Sequence, residues 1–265
     1  IGQTVNSYRY RSGDREYQLA DLLEMVHEID GIERLKFVTN YPKDMTPRLL
    51  TTIRDLPKCS TYLHVPAQSG SDEVLKRMKR GYTVGDYLQM MELIGEYLPD
   101  AAVSSDFIVG FCGETDEDFQ KSVDLIRHCR FKNSFIYKYS VRPGTKGAQL
   151  YADDVPEDVK QRRNADLLAV QNEISSEDNL RFLGKRVRVL VEGPSKLSVR
   201  RGETGPIRQM TGRTNCDRIV VWDGNERQTG QMLDVLVHDT NSHTLFGGVE
   251  TVELTPTQLV MPTLA

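Results

Sequence analysis

The sequence lacks the features that would mark a membrane, secreted or metal-binding chain. No apolar run is long enough to span a bilayer, and the first residues do not form a signal peptide. The cysteines are too far apart for a CxxC or CxxxCxxC motif, so we expect no complete zinc or iron–sulfur site within this chain. They are Cys59, Cys112, Cys129 and Cys216. We therefore predict a cytoplasmic chain with reduced thiols, no metal ligands and no membrane partner.

An initiator methionine is also missing, because the sequence begins at Ile1 and its first residues resemble the end of a strand. We expect the sequence to be part of a longer protein. Its 265 residues, of which 38% are hydrophobic, are enough for one large α/β domain and a small one.

The net charge of −4 argues against a nucleic-acid partner, but the charges are unevenly placed. Residues 185–218 carry nine Lys or Arg against three acids, whereas the preceding part of the chain carries 24 against 29. A basic segment in an acidic chain indicates a phosphate-binding face, and a solvated loop region fits it equally well.

Residues 61–71 show the pattern that recurs over the first two thirds of the chain. Residues 62–65 predict a buried strand, Pro66 ends it, a polar turn follows, and Glu73 opens a helix. Further strands are predicted at 1–5, 35–39, 103–109 and 135–139, with helices between them. This alternation predicts a parallel sheet, and a doubly wound sheet and a barrel both fit it.

The loops that follow these strands are polar or rich in glycine. They comprise residues 3–8, 40–44, 66–71, 110–115 and 142–145. Because the carboxyl ends of parallel strands meet at one edge, we expect the loops to form one site there. After Gly184 the pattern changes to four short strands without helices, which predicts a small antiparallel barrel or sandwich.

Five motifs resemble, in order, those of the radical-SAM methylthiotransferases. They are GQTVNSY (2–8), YPKDM (41–45), LHVPAQSGSDEVLKRMKRGYT (63–83), SDFIVGFCGETDEDF (105–119) and RPGT (142–145). VEG (191–193) and TGRT (211–214) resemble the TRAM domain that ends those enzymes. The resemblance implies an α/β fold with a partial (β/α) radical-SAM barrel over residues 1–183. It also implies an all-β TRAM barrel over 184–252, followed by a tail over 253–265.

The resemblance further implies an enzyme of tRNA modification. The branch it favours adds a methylthio group to C2 of N6-isopentenyladenosine next to the anticodon, with S-adenosylmethionine, two 4Fe-4S clusters and an electron donor. The family's cluster-binding cysteines, in an N-terminal domain and in a CxxxCxxC loop, are absent from this sequence. Cys112 lies where many relatives have proline, and its spacing excludes it as a substitute. We expect the protein to be a monomer. We also expect this chain alone to be inactive.

Polar residues in the loops are candidate contacts to S-adenosylmethionine or the target base, because an amide offers a donor and an acceptor together. They are Gln3, Asn6, Gln68 and Ser69. Hydrogen bonds from these side chains to the loop backbone explain the presence of each residue equally well. Asp106 lies inside an apolar strand, so it either meets ligand or pairs with a neighbour. His64 is expected to be a core histidine rather than a metal ligand.

Basic residues are the candidate RNA contacts, through phosphate neutralisation. They are Arg142, Lys185, Arg186, Arg188, Arg200, Arg201 and Arg213. No catalytic side chain can be named. Three alternatives stay open: a catalytically dead RNA-binding module, a methylthiotransferase for threonylcarbamoyladenosine in tRNA, and one for a ribosomal protein. A plain α/β scaffold would bind no RNA.

Overall fold

The computed structural model describes residues 4–249 and divides the chain into two compact units. The first runs to Arg181 and also includes Asn215–Arg218 and Asn241–His243. The second comprises Phe182–Thr214, Ile219–Thr240 and the residues from Thr244 onward. Gln3 and the predicted tail lie outside the described residues. No helix among residues 4–249 is long and apolar enough to cross a membrane.

The first unit is built on a parallel sheet with helices between its strands. Strands β1 (Arg9–Ser12) and β2 (Arg15–Gln18) form a hairpin, and β3 (Tyr62–His64), β4 (Ala102–Val109) and β5 (Asn133–Lys138) form the sheet in that order. The helices are α1 (Leu19–His27), α2 (Pro47–Asp55), α3 (Asp72–Arg77), α4 (Val84–Tyr97), α5 (Asp116–Cys129), α6 (Lys146–Leu150) and α7 (Glu157–Leu180). Both pairings, β3 with β4 and β4 with β5, are parallel, as predicted.

Local capping chemistry sets where two of these helices begin. The hydroxyl of Thr83 accepts a hydrogen bond from Asp86 N at 3.1 Å, and that of Thr115 accepts one from Asp118 N at 3.1 Å. In each case the aspartate bonds back to the backbone of the threonine, which completes a capping box. The helices therefore start where the sequence predicts.

Aromatic side chains form the centre of the core between the sheet and the helices. Tyr87, Phe107 and Phe131 are almost fully buried. Phe131 makes edge-on contacts with both of the others, with ring centroids 6.2 and 5.9 Å apart. Burial of such rings is a large favourable term in folding.

Of the five predicted strands, that at 35–39 is not formed, and that at 1–5 lies mostly outside the described residues. Val5 lies in a 3-10 turn, Val5–Ser7, and residues 1–3 lie outside the described part. Residues 35–39 make one bridge, from Leu35 to Cys59, and no continuous ladder. The left-handed backbone of Thr39 (φ 70°) ends their extended path. The hairpin and α6 were not predicted.

The second unit is a closed five-stranded barrel. Its strands are β6 (Arg186–Pro194), β7 (Arg208–Thr214), β8 (Ile219–Gly224), β9 (Met232–Thr240) and β10 (Thr244–Gly248), in the order β10-β8-β7-β6-β9. All pairs are antiparallel except β8 with β10. Alternate side chains fill the interior, including Val189, Met210, Trp222 and Leu245. The prediction of four strands without helices is wrong, since it misses β7 and the short helix α8 (Lys196–Arg201).

Candidate functional site

The candidate site lies at the carboxyl-terminal edge of the parallel sheet, where several of the predicted polar loops meet. Asn40 N donates to His64 O at 2.9 Å, and this bond joins the second loop to the end of β3. Gln68 N donates to Asp106 O at 2.8 Å, and Ile108 N donates to Gln68 O at 2.9 Å, so the third loop continues alongside β4. The crevice outside the carboxyl ends of such strands is the usual ligand position.

Asn6 links the first loop to the second. Its Nδ2 donates to Tyr41 O at 2.8 Å, and its Oδ1 accepts from Tyr41 N at 2.7 Å. The side chain is buried, and its amide is occupied at both ends by backbone. Contact with a ligand would require at least one of these bonds to be exchanged.

Ser69 is also held inside the protein. Its hydroxyl accepts a hydrogen bond from Ser71 N at 3.2 Å and lies 3.5 Å from the hydroxyl of Ser122. Ser71 in turn donates to Asp118 Oδ1 at 2.5 Å. These contacts fix the loop against α5.

Gln68 differs from its neighbours in both backbone and side chain. It adopts the left-handed region (φ 71°), which costs free energy for a residue other than glycine. Within residues 4–249 its side-chain amide has no hydrogen-bond partner, although the residue is only 7% exposed. An amide held in this way can bind a polar group that enters the site.

Asp106 faces the same side of the sheet as His64. Its Oδ2 lies 3.4 Å from His64 Nε2, and one quarter of the side chain stays exposed. His64 Nδ1 lies 2.8 Å from the hydroxyl of Ser104, which donates to the hydroxyl of Tyr62 at 2.6 Å. Asp106 therefore pairs with a neighbour, which is one of the two sequence-based alternatives, and its contact with a ligand stays a prediction.

The loop after β4 is fixed by an ion pair that the sequence does not reveal. Glu114 Oε2 accepts from Gly110 N at 2.6 Å and from Arg163 Nη1 at 2.9 Å. Burial raises the pKa of the Glu114 carboxyl, and the hydrogen bond from Gly110 and the charge of Arg163 oppose that effect. Gly110 has a positive φ of 70°, and a Cβ there would lie 2.3 Å from Lys160 Cγ, so glycine is required.

A cavity of about 530 Å³ opens beside this loop. Ile108, Phe111, Tyr137 and Tyr139 line it from β4, β5 and the residues that follow these strands. Arg142, predicted to contact RNA, lines the same cavity. The loops at 110–115 and 142–145 therefore meet here.

Comparison with known proteins identifies both units. The Radical SAM superfamily matches residues 6–126, and the TRAM domain matches residues 180–249. The tRNA-2-methylthio-N(6)-dimethylallyladenosine synthase of Rhodopirellula baltica is 66% identical over all 265 residues. By these matches the chain resembles the radical-SAM methylthiotransferases along its whole length.

Further relatives match the chain at lower sequence identity. The synthases of the same name from Acidovorax sp. and Porphyromonas gingivalis are 46% and 42% identical over 96% and 97% of the chain. The chain spans about half the length of these relatives, 55%, 55% and 53% of the respective proteins. Coproporphyrinogen III oxidase of Escherichia coli, a solved radical SAM enzyme, aligns with 88% of this chain and 56% of that chain at a TM-score of 0.49 and 13% identity. The family assignment does not depend on this remote likeness.

Radical-SAM methylthiotransferases use iron–sulfur clusters, and the cysteines described here do not fit one. A cluster is held by thiolates. Burial raises the pKa of Cys59 to about 11 and that of Cys129 to about 12. Among residues 4–249, no group of three or more His, Cys, Asp or Glu is placed to hold a metal ion.

The predicted RNA contacts lie in the second unit, apart from Arg142. Val187, Val189 and Val191 point into the barrel, so Arg186 and Arg188 alternate with them on its outer surface. Arg200 and Arg201 end α8, and Lys185 precedes β6; all three are exposed.

Two of these cations are close to acids. Arg213 Nε lies 3.1 Å from Glu192 Oε1, and Arg201 Nη1 lies 3.9 Å from Glu203 Oε1. Their positive charge is therefore partly compensated at the barrel surface.

Proposed function

We propose that this chain is the part of a tRNA methylthiotransferase that binds S-adenosylmethionine and tRNA. The reaction adds a methylthio group to C2 of N6-isopentenyladenosine next to the anticodon. The observation that carries the proposal is the 66% identity over all 265 residues with a relative named as a dimethylallyladenosine synthase. The TRAM match, which covers the basic segment at 185–218, supports an RNA substrate.

The sheet-edge residues are proposed to contact S-adenosylmethionine or the target base. Gln68 has the strongest support, because its buried side-chain amide makes no hydrogen bond to protein within the described residues. Asp106 has the next strongest support, because one quarter of its side chain is exposed. Gln3, Asn6 and Ser69 remain in the proposal as supporting contacts or as residues that position the loops.

The cofactors are proposed to be S-adenosylmethionine and two 4Fe-4S clusters. The clusters would supply reductive cleavage of S-adenosylmethionine and the sulfur, and an electron donor would reduce them. Their thiolate ligands are proposed to come from the part of the relatives' length that this chain does not span. The described residues would bind and orient S-adenosylmethionine and the target nucleoside.

The remaining parts of the proposal concern the RNA and the state of the protein. Phosphates are proposed to contact the basic residues, which are Arg142, Lys185, Arg186, Arg188, Arg200, Arg201 and Arg213. A monomer in the cytoplasm, where tRNA is modified, completes the proposal.

Transfer by a chimera, in which this chain replaces the matching part of the Rhodopirellula baltica synthase, tests the proposal. The protein is reconstituted anaerobically with iron and sulfide, supplied with S-adenosylmethionine, a reductant and isopentenylated tRNA, and the digested nucleosides are analysed by mass spectrometry. We expect a methylthio nucleoside. Gln68→Ala should reduce its yield, whereas Gln89→Ala, an exposed glutamine on α4, should not.

Other outcomes would contradict the assignment. Methylthiolation of threonylcarbamoylated tRNA alone would mean that the substrate is wrong. RNA binding by a fully reconstituted protein that transfers nothing to any of these substrates would favour the binding-module alternative.

A further inference from the structure

The cavity beside the loop after β4 has an unusual lining. Six of its lining residues are cations, and among the described residues no Asp or Glu lines it. The cations are Arg77, Lys79, Arg80, Lys138, Arg142 and Lys146. Like charges repel when they are gathered without counter-charges, so an anionic ligand would stabilise this arrangement.

Four of the six cations have no acidic partner within the described residues. Arg77 lies 3.7 Å from Asp118 Oδ2, and Lys138 pairs with Glu157. By contrast, Lys79, Arg80, Arg142 and Lys146 make no ion pair with any carboxylate among residues 4–249, and all four are exposed. Their positive charge is therefore available to a ligand.

Local structure fixes the two segments that carry these cations. After α3, Lys79 takes a left-handed backbone (φ 56°), and Arg80 N donates to Leu75 O at 2.9 Å. On the other side, Thr145 Oγ1 donates to Arg142 O at 2.8 Å and accepts from Ala148 N at 3.3 Å. The cations are thus carried by two separate ordered turns that line one cavity.

Aromatic rings also line this cavity. Phe111 packs edge-on against Tyr139 and Tyr151, with ring centroids 4.8 and 6.2 Å apart. Tyr137 lines the cavity, is 55% exposed and makes no ring contact within the described residues. An exposed ring beside unpaired cations is the combination with which proteins bind single-stranded nucleic acid.

We propose that this cavity binds one nucleotide of a single-stranded RNA segment, with its base stacked on Tyr137. Arg142 and Lys146 contact its phosphate from one side, and Lys79 and Arg80 contact the adjacent phosphate from the other. Its volume of about 530 Å³ lies within the usual range of pockets that bury small molecules. The inference rests on the proposed function for its choice of RNA, and it adds a binding site within the first unit.

RNA binding by the full 265-residue chain tests the proposal. The probe is a fluorescein-labelled tRNA anticodon stem-loop without modified bases, and its dissociation constant is measured by anisotropy over a series of salt concentrations. Arg142→Ala and Lys79→Ala should each weaken binding and reduce the salt slope by about 0.7, as expected for one lost single-strand phosphate contact. The matched controls are Arg127→Ala on α5 and Lys76→Ala on α3, exposed cations that do not line the cavity.

Stacking is tested separately from charge. Tyr137→Leu should weaken binding of the stem-loop about tenfold, the usual order for loss of one base stack. The same substitution should have no effect on a probe in which the stacked nucleotide is abasic. A scan of abasic positions therefore identifies which nucleotide the cavity binds. Circular dichroism confirms that each variant is folded.

The outcomes separate this inference from the proposed function. Equal losses for the cavity variants and their controls would overturn it, because they would indicate non-specific attraction. Loss of S-adenosylhomocysteine binding with unchanged RNA binding would also overturn it and would assign the cavity to the cofactor. If the chimera with the Rhodopirellula baltica synthase transfers no methylthio group but the cavity variants alone lose RNA affinity, the nucleotide site stands and the proposed function fails.

Discussion

The ion pair of Glu114 and Arg163 is buried on both sides, next to the candidate site. The Glu114 side chain is fully buried and that of Arg163 is 4% exposed. Two charges in such a place stabilise each other but lose their hydration, so removal of one partner costs far more than the pair contributes. The pair joins the loop after β4 to α7, and its partners lie 49 residues apart in sequence.

Arg163→Ala should therefore destabilise the protein strongly. We expect a loss of about 3–5 kcal/mol in the free energy of unfolding, because the Glu114 carboxylate is left without its counter-charge. Chemical denaturation followed by far-UV circular dichroism measures it. Arg162→Ala is the matched control: Arg162 and Asp116 are both largely exposed, and their 3.5 Å contact should contribute at most about 1 kcal/mol. A loss for Arg163→Ala no larger than the control's would contradict the structural role of the pair.

The candidate site residues show what a single sequence can and cannot decide. Asn6, Gln68 and Ser69 are all polar residues on turns after strands, and that chemistry serves loop backbone as well as a ligand. The structure separates them, because the amide of Asn6 is bonded to Tyr41 and that of Gln68 is not bonded to protein within the described residues. This difference between the two amides arises from contacts between segments that are distant in sequence, and residue spacing does not predict such contacts.

At the scale of elements, local signals predicted the structure well and non-local ones did not. Thr83 and Thr115 begin helices through bonds to residues three positions away, so a short window of sequence contains the whole signal. Residues 35–39 look like a strand locally, but a ladder also needs a neighbour in register, and they pair at Leu35 alone. For the β1–β2 hairpin, Gly13 at its turn (φ 59°) was the overlooked signal.

Two glycines allow a prediction about how the elements pack. A Cβ on Gly70 would lie 2.2 Å from Lys121 O, in the backbone of α5, so Gly70→Ala must move the loop or the helix. A cost of about 1–3 kcal/mol is expected from such overpacking. Gly95 lies inside α4 with no atom within 4 Å of its Cβ position, so Gly95→Ala should instead stabilise the protein by about 0.5–1 kcal/mol.

Denaturation of the two variants under the same conditions measures both effects. Far-UV circular dichroism follows the helices of the first unit, while fluorescence of Trp222, the only tryptophan, reports the barrel separately. A neutral Gly70→Ala would mean that the loop does not pack against α5 as described. A destabilising Gly95→Ala would mean that this face of α4 is covered in solution.

At the scale of the whole molecule, the resemblance predicted more than the residue patterns alone. Alternation of strands and helices left a doubly wound sheet and a barrel open, and the change of pattern after Gly184 indicated only a small β domain. The ordered motifs singled out one family, and the Radical SAM and TRAM matches confirm it. Net charge was a poor guide, because the +6 of residues 185–218 is hidden in a total of −4.

The positions of the cysteines in the molecule predict how the isolated chain responds to iron and sulfide. A 4Fe-4S cluster with one open iron needs three thiolates at one place. Cys59 precedes β3, Cys112 follows β4 and Cys129 ends α5, and burial holds the pKa values of Cys59 and Cys129 at about 11 and about 12. Formation of a cluster would therefore require these elements to rearrange so that three thiols meet, at the expense of the packing that buries them.

We expect anaerobic reconstitution of the 265-residue chain to leave far fewer than about four irons per chain after desalting, with no cluster absorption band. A variant with serine at positions 59, 112, 129 and 216 should retain the same small amount, because that iron is bound non-specifically. The chimera with the Rhodopirellula baltica synthase, reconstituted in parallel, is the positive control for the chemistry. About four irons that depend on the cysteines of this chain would contradict the prediction, and would mean that these thiols approach one another in a conformation different from the one described.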